Sequence, residues 1–279
     1  MKPQKLRRIL AGGLGLLLVV LLLFLWNGTA GNPISALIAT RNITAYVKET
    51  YPGANFSVEN AHYNFKTGGY SCFVTSPISE DTAFSIDYGG GKIWDRYESE
   101  VGNRFSTYRR LDGELDGLVE KIVQEQFPHK VNLVIGTLEA GEDMSNDLTL
   151  DMPFDRYHLP LPVEVTLWVD TEDISYDQAA RLLLELDGIF QREKLAVARY
   201  SIRLSDVVEY DKNGNPVYDH QREEVNIYDF PAARLAAENL PQVLEEHRIQ
   251  WEKEADAWEE ESPGAFGLHA KGLCDTVKL

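Results

Sequence analysis

Carboxylate side chains are concentrated in one polar stretch near the middle of the chain, where the residue types suit metal binding. The candidate ligands are Glu139, Glu142, Asp143, Asp147, Asp151 and Asp155. Carboxylate oxygens are ligands that Ca²⁺ prefers, so such a stretch could bind Ca²⁺ weakly outside the cell. A solvated acidic loop without a bound ion explains the same residues, and the sequence leaves both interpretations open.

A run of three glycines and a lysine, Gly89 to Lys92, superficially resembles a phosphate-binding loop. The match is incomplete, because Ile86 stands where the first glycine of such a loop is required and Ile93 replaces the Ser or Thr. The run is therefore predicted to be a turn at the end of a strand.

Motifs for nucleophilic, zinc-dependent or dinucleotide chemistry are missing from the sequence, since GxSxG, HExxH and GxGxxG do not occur. The histidines show no metal-ligand spacing. They are His62, His129, His158, His220, His247 and His269. A discontinuous site can still assemble from distant residues. We expect no cofactor and no catalytic residues; the sequence favours a protein that is not an enzyme without excluding one.

The amino terminus carries the strongest signal in the chain. The segment from Ile9 to Trp26 contains no charged side chain and directly follows a basic segment at residues 2–8. In a helix it would span about 27 Å, close to the hydrocarbon thickness of a bilayer. We predict a membrane anchor at 9–26, although the shorter dense apolar core from Leu14 to Trp26 also fits a cleaved signal peptide.

Charge predicts the orientation of this anchor and restricts the partners of the chain. Because the basic residues precede the anchor, residues 1–8 are expected in the cytoplasm and the remainder outside the cell membrane; a cleaved signal would make the protein secreted. The net charge is −17, and none of the 44 acidic residues precedes Trp26. This charge argues against nucleic acid as a partner. A protein partner at the cell surface, a cation, or simple solubility remain.

Two cysteines, Cys72 and Cys274, lie far apart and form no CxxC motif. A disulfide bond between them fits an oxidising compartment, and two free thiols fit the sequence equally well. The pairing is therefore left open.

Periodicity predicts a first extracytoplasmic α+β domain over residues 31–128. Asn32-Pro33 opens a helix as N-cap and first helical residue, and Pro52-Gly53 ends it. Three strands with two-residue alternation follow and predict an antiparallel meander. A second helix is predicted from Trp94 to Phe127, with a break near Gly113.

A second α+β domain, with the order β-α-β-β-α, is predicted over residues 129–260 and is followed by a flexible tail at 261–279. Ser175 begins its first helix with a capping box. The segment 211–216 is a hairpin signal between two strands. The last helix is predicted to kink at Pro241.

The stretch from Thr44 to Tyr88 is similar to the opening domain of a known bacterial family. The shared pattern is a helix ending in Tyr-Pro, an aromatic-rich hairpin, and F-S-I-D-Y before a glycine turn. The segment from Lys92 to Arg110 and the basic-then-apolar amino terminus continue the pattern. The chain therefore resembles the YfjL-like family of Gram-positive bacteria from Met1 to about Phe127, and less closely beyond. The resemblance implies a membrane-attached protein of uncharacterised function and supplies no catalytic residues.

The preferred interpretation is a membrane-tethered extracytoplasmic protein that acts as a binding or interaction module of the cell envelope. An acidic two-domain chain with abundant aromatic residues and no catalytic motif favours it. The alternative is an extracellular hydrolase with a discontinuous site. That alternative requires a pocket with convergent polar groups and titratable residues of shifted pKa.

Overall fold

The computed structural model describes most of the chain between residues 31 and 261. The described residues are 12–18, 31–141, 143–206, 209–210, 216–217 and 224–261. Residues 12–18 are helical, and within the described ranges no helix is both long and apolar enough to cross a membrane. Most of the predicted anchor at 9–26 and nearly all of the predicted tail at 261–279, including Cys274, lie outside the described residues.

Besides the helical residues 12–18, four long helices and two short ones are present in the described ranges. The long helices are α1 (Pro33–Thr50), α2 (Phe105–Gln126), α3 (Tyr176–Arg192) and α4 (Leu240–Glu261). A π-helix at Glu98–Gly102 precedes α2, and a 3-10 helix at Ala232–Ala236 precedes α4.

The helix starts predicted at Asn32 and Ser175 are confirmed by side-chain caps. Asn32 Oδ1 accepts a hydrogen bond from the N–H of Ile34 at 2.8 Å, at the start of α1. Ser175 Oγ accepts one from the N–H of Gln178 at 3.1 Å, at the start of α3. Each cap satisfies a backbone donor that has no partner within its own helix.

Contacts within the chain form two compact units. The first contains Met1–Arg110 and Gly141–Met152, and the second contains Leu111–Ala140 and Pro153–Leu279. The division falls inside α2, whereas the sequence suggested a boundary near residue 128. Part of the acidic stretch belongs to the first unit, although it follows the start of the second in sequence.

The first unit is built on a five-stranded antiparallel sheet. Its strands are β1 (Ser57–Val58), β2 (His62–Asn64), β3 (Gly69–Thr75), β4 (Ala83–Gly89) and β5 (Lys92–Asp95). The order is β1-β3-β4-β5, and β2 also pairs with β3. The predicted meander is confirmed and is extended by β5, which follows a turn at Gly90 and Gly91. Both glycines have positive φ, 57° and 78°, which glycine adopts without steric cost.

One face of this sheet packs against α1 and forms the core of the first unit. Alternate residues of β3 and β4 are fully buried there, including Cys72, Val74 and Phe84, beside Ile43 and Val47 of α1. Burial raises the pKa of the Cys72 thiol. Because successive residues of a strand point to opposite faces, the residues between these core positions point away from α1.

The helix predicted from Trp94 to Phe127 is wrong at its start. Trp94 lies in β5, and α2 begins only at Phe105. Pairing of β5 with β4 outweighs the helix-like spacing of aromatic residues in this stretch. α2 also continues through Gly113 without the predicted break, since a glycine within a helix costs only about 1 kcal/mol relative to alanine.

The second unit contains a four-stranded mixed sheet. Its strands are β6 (Val131–Leu138), β7 (Val163–Asp170), β8 (Arg199–Ser205) and β11 (Glu224–Pro231). The order is β11-β8-β7-β6; β7 and β8 are parallel and joined through α3, and the other neighbours are antiparallel. The antiparallel pairing of β8 with β11 confirms that the strands on either side of the hairpin signal pair with each other. Two short strands between them, β9 (Glu209–Tyr210) and β10 (Pro216–Val217), also pair.

The predicted order β-α-β-β-α omits one strand of this unit. Two strands, β6 and β7, precede α3 and pair with each other despite the long acidic stretch between them. Pro241 also does not kink α4. It stands in the first turn of that helix, where the missing N–H of proline removes no helical hydrogen bond.

Two carboxylates of α2 cover the outer edge of the second sheet. β6 is an edge strand; Asp112 Oδ1 accepts from the N–H of Leu138 at 2.7 Å, and Asp116 Oδ1 from that of Gly136 at 3.0 Å. The two carboxylates are four residues apart on the helix, a rise of about 6 Å, and the two N–H groups are two residues apart on the strand, a rise of about 6.6 Å. The spacing of the acceptors therefore matches that of the donors. A Cβ at Gly136 would lie 2.6 Å from the Val119 side chain, which shows how closely the helix approaches. The edge is thereby blocked against pairing with another strand.

An ion pair between the buried Asp81 carboxylate and the partly exposed Arg110 guanidinium holds the segment 141–152 within the first unit. Arg110 Nε and Nη2 donate to the two carboxylate oxygens of Asp81 at 2.7 and 2.9 Å, and Nη2 also donates to the Met152 carbonyl at 2.7 Å. The backbone N–H of Asp81 donates to the Asp151 carboxylate at 3.0 Å, and that of Asp151 to Asp81 at 2.8 Å. Burial by itself raises the pKa of Asp81, but these hydrogen bonds and the Arg110 charge outweigh it and hold the pKa below its usual value.

Removing the Asp116 carboxylate should destabilise the second unit through the edge strand. Asp116→Ala leaves the Gly136 N–H without its acceptor, and we expect the free energy of unfolding to fall by about 1–3 kcal/mol in urea titrations. Asp116→Asn keeps an acceptor oxygen and serves as the control, with most of the stability retained. Equal stability of the Ala variant and the parent protein would contradict this role.

Loss of the Asp112 charge, unlike loss of the Asp116 carboxylate, should not reduce the stability of the second unit at pH 7. Burial raises its pKa and the charge of Asp116 adds to the rise, against the lowering effect of the Leu138 N–H. A raised pKa means that stability is greatest below the unfolded-state pKa and is lost as pH rises through the folded-state pKa. Asp112→Asn stays neutral, so we expect stability at pH 7 equal to or above that of the parent. A marked loss at pH 7 would refute this account.

The ion pair of Asp81 should dominate the acid sensitivity of the first unit. Its lowered pKa gives stability that is present above the unfolded-state pKa and is lost as pH falls through the folded-state pKa. Arg110→Met leaves a buried carboxylate without its cation and is expected to cost about 3–5 kcal/mol at pH 7 in urea titrations. The neighbouring exposed Arg109→Met is the matched control, and similar losses for both variants would disprove the assignment.

Candidate functional site

The sheet face that points away from α1 carries the exposed aromatic residues of the first unit's strands. Phe73 of β3 is 39% exposed and Trp94 of β5 is 52% exposed. Ser71 and Asp87 lie opposite each other on this same face, in neighbouring positions of β3 and β4. We call this surface the open face.

Two tyrosine hydroxyls determine which side of β5 faces outward. Asp95 Oδ2 accepts hydrogen bonds from Tyr46 at 3.0 Å and from Tyr51 at 2.7 Å, on the side of the sheet that packs against α1. Asp95 is therefore held toward the core. Because its neighbour Trp94 must point the other way, the indole ring lies on the open face.

A shallow groove of about 840 Å³ occupies the turn end of the open face. It is lined by residues 67–70 and 87–90, and by Lys92, Trp94 and Arg96. Three neighbouring strands (β3, β4 and β5), the turns before β3 and after β4, and the start of the loop after β5 thus contribute to one concave surface. The groove combines an aromatic ring, two cations and one carboxylate.

Glycines make the floor of this groove flat. A Cβ on Gly69 would lie 3.2 Å from the Tyr88 carbonyl oxygen, and one on Gly89 would lie 3.5 Å from a ring carbon of Trp94. The same position on Gly89 is 3.7 Å from the Gly69 Cα. The two strands are therefore close to each other without side chains between them, and the Trp94 ring rests directly beside the bare backbone.

The charged residues of the groove include one ion pair and one further cation. Arg96 Nε and Nη2 both donate to Asp87 Oδ2, at 2.9 and 2.6 Å, and this raises the pKa of Arg96. Lys92 is exposed and forms no ion pair with the residues that the structure describes. The groove therefore has an excess of positive charge in a chain whose net charge is −17.

The second unit contains a carboxyl group whose pKa is shifted upward. Glu164 Oε1 accepts from the Ser201 hydroxyl at 2.6 Å, and Ser201 Oγ accepts from the N–H of Asp229 at 3.0 Å. Burial raises the pKa of Glu164, the hydrogen bond from Ser201 opposes this, and the charges of Asp229 and Glu139 add to the rise. Such a carboxyl can serve as a general acid where it faces a bound substrate.

Two smaller cavities are present in the second unit. One of about 460 Å³ is lined by residues 156–163 and 196–198, and one of about 280 Å³ lies between the end of α2 and the start of β6. Glu164 and Asp112, the carboxyl groups with raised pKa, line neither of these cavities nor the groove on the open face. The two carboxyl groups with raised pKa therefore lie outside the groove and both of these cavities.

The carboxylates predicted as calcium ligands are distributed between the two units. Asp143, Asp147 and Asp151 belong to the first unit and Glu139 and Asp155 to the second, while Glu142 lies outside the described residues. Among the residues that are described, no group of three or more His, Cys, Asp or Glu side chains is placed to hold a metal ion.

Four of these carboxylates have protein partners of their own. Asp143 Oδ1 accepts from the N–H of Ser145 at 2.9 Å, and Asp151 binds the N–H of Asp81. Glu139 pairs with Arg199 at 2.7 Å, and Asp155 contacts His158 at 2.9 Å. These four carboxylates therefore bind backbone N–H groups or pair with basic side chains of the protein.

The groove on the open face was not predicted from the sequence. The aromatic spacing predicts that Trp94 lies in a helix, which excludes it from the sheet. The alternation of Lys92, Ile93, Trp94 and Asp95 after a glycine turn is the signal that could have revealed a fourth meander strand. With that strand in place, the outward position of Trp94 follows from its neighbour Ile93 facing the core.

Comparisons with known proteins agree with the resemblance found in the sequence. Residues 6–96 match the model of the YfjL-like N-terminal domain, and residues 114–245 match that of the YfjL-like C-terminal domain. A relative described as "Uncharacterized protein YfjL", from Bacillus subtilis (strain 168), is 31% identical over 173 residues, which cover 60% of this chain and 73% of the relative. No solved structure matches the chain. The chain belongs to the YfjL-like family.

Proposed function

We propose that this protein is a membrane-tethered binding module of the cell envelope, and that its ligand occupies the groove on the open face. The observation that carries the proposal is Trp94, a large aromatic residue held half-exposed over a glycine floor. Aromatic residues in such positions contribute strongly to binding, because they bury a large rigid surface when the ligand arrives.

The position at the membrane is inferred from the amino-terminal sequence. The uncharged segment 9–26 has the length of a membrane span, and its basic flank favours a cytoplasmic amino terminus. The two units would then lie outside the cell membrane, where the groove meets envelope material. Cleavage of the segment would release the protein, and the same groove would act in secreted form.

Binding is preferred over hydrolysis because of where the polar groups lie. A hydrolase needs a titratable group of suitable pKa within reach of the bound substrate. The groove contains Asp87 in an ion pair with Arg96. The carboxyls with raised pKa, Asp112 and Glu164, lie in the second unit and line neither the groove nor the two cavities of that unit. An extracellular hydrolase remains the alternative. Turnover of envelope material that disappears in Glu164→Gln would favour it.

A sedimentation assay with cell walls tests the proposed groove. The full chain in detergent is mixed with purified wall material from Bacillus subtilis, and the bound fraction is measured after centrifugation. We expect Trp94→Ala to weaken binding by at least about fivefold, as expected for removal of a central aromatic contact. Tyr157→Ala, at an aromatic residue that is 59% exposed in the second unit, is the matched control.

Two results of this assay would contradict the proposal. One is that the parent protein does not sediment with the walls. The other is that both variants bind like the parent, which would place the binding surface elsewhere. Circular dichroism melting of each variant shows that a change in binding is not a loss of fold.

A further inference from the structure

We propose that the ligand of the groove is a saccharide chain that carries carboxylate groups. This inference rests on the proposed function, since it names the ligand class of the same groove. Three features of the groove support it: a flat aromatic platform, a paired donor and acceptor, and an unpaired cation.

The platform suits the face of a sugar ring. The Trp94 ring is 52% exposed and adjoins bare backbone at Gly89 and Gly69, so no side chain projects between the two strands there. A pyranose presents a face of C–H groups that can cover an aromatic ring and remove apolar surface from water. The shallow shape argues against a small apolar ligand, which requires a cavity that encloses most of its surface.

The ion pair beside the platform suits the hydroxyl groups at the edge of such a ring. Both side-chain hydrogen bonds of Arg96 within the described residues are donated to Asp87 Oδ2, and no described residue donates a hydrogen bond to Asp87 Oδ1. The two side chains are 54% and 28% exposed. Arg96 therefore offers N–H donors and Asp87 an acceptor to neighbouring hydroxyls, which each donate and accept hydrogen bonds.

The charge of the groove indicates an acidic substituent on the ligand. Lys92 and Arg96 face a single carboxylate, Asp87, in a groove of a chain whose net charge is −17. A dense polyanion such as nucleic acid would be repelled by the chain as a whole. A sugar chain with spaced carboxylates places one negative group near Lys92. Its low charge density limits repulsion by the acidic chain as a whole.

Binding of two defined tetrasaccharides to the full chain in detergent tests this inference by isothermal titration calorimetry. One consists of N-acetylglucosamine alone, and the other alternates glucuronate with N-acetylglucosamine. We expect the acidic tetrasaccharide to bind about two- to fivefold more tightly at low salt, as for an exposed ion pair. This advantage should shrink at about 0.5 M salt, where exposed charges are screened.

Two groove variants separate the contributions of the ring and of the cation. Trp94→Ala should weaken binding of both tetrasaccharides by about tenfold, because the platform serves every sugar ring. Lys92→Met should equalise the two affinities while leaving that of the neutral tetrasaccharide unchanged. Lys48→Met, at an exposed lysine of α1, is the matched control and should change neither affinity.

The outcomes distinguish this inference from the proposed function. If neither tetrasaccharide binds while wall binding still depends on Trp94, the saccharide assignment is overturned and the groove remains a binding site for another ligand, such as a protein. If both bind equally and Lys92→Met has no effect, the acidic character is overturned. If wall binding does not depend on Trp94, the proposed function itself is overturned.

Discussion

Burial of one sheet face against α1 determines which side chains of the first unit can reach a ligand. Once Cys72 and Val74 point into the core, the residues between them must point outward, because a strand alternates with a period of two. The same rule acts on β5, where the hydroxyl contacts hold Asp95 inward and leave Trp94 outside. A slip of one residue in β5 would reverse both positions and remove the platform of the groove.

The acidic composition of the chain is partly structural. Asp81 accepts hydrogen bonds from a guanidinium and a backbone N–H, Asp95 accepts from two hydroxyls, and the pair on α2 accepts from the edge of the second sheet. Carboxylates thus accept hydrogen bonds from donors that would otherwise be buried without an acceptor or left open at a sheet edge. Solubility or ligand binding need not explain every acidic residue in the sequence.

Local features of this fold could be predicted from sequence, and features that depend on distant contacts could not. The caps at Asn32 and Ser175 were predictable because a cap is decided within a few residues. The strand at Trp94 was missed because helix-like aromatic spacing competed with pairing to β4. The groove was missed with it, and the acidic stretch appeared to be one loop although its residues enter two separate units.

The insertion of residues 141–152 into the first unit has a consequence for biosynthesis. A chain emerges from the ribosome in sequence order, so Asp81 and Arg110 appear well before Asp151 and the Met152 carbonyl that complete their contacts. During that interval the first unit holds a charged pair without its full set of partners. Its folding is therefore expected to finish only after β6, a strand of the second unit, has been synthesised.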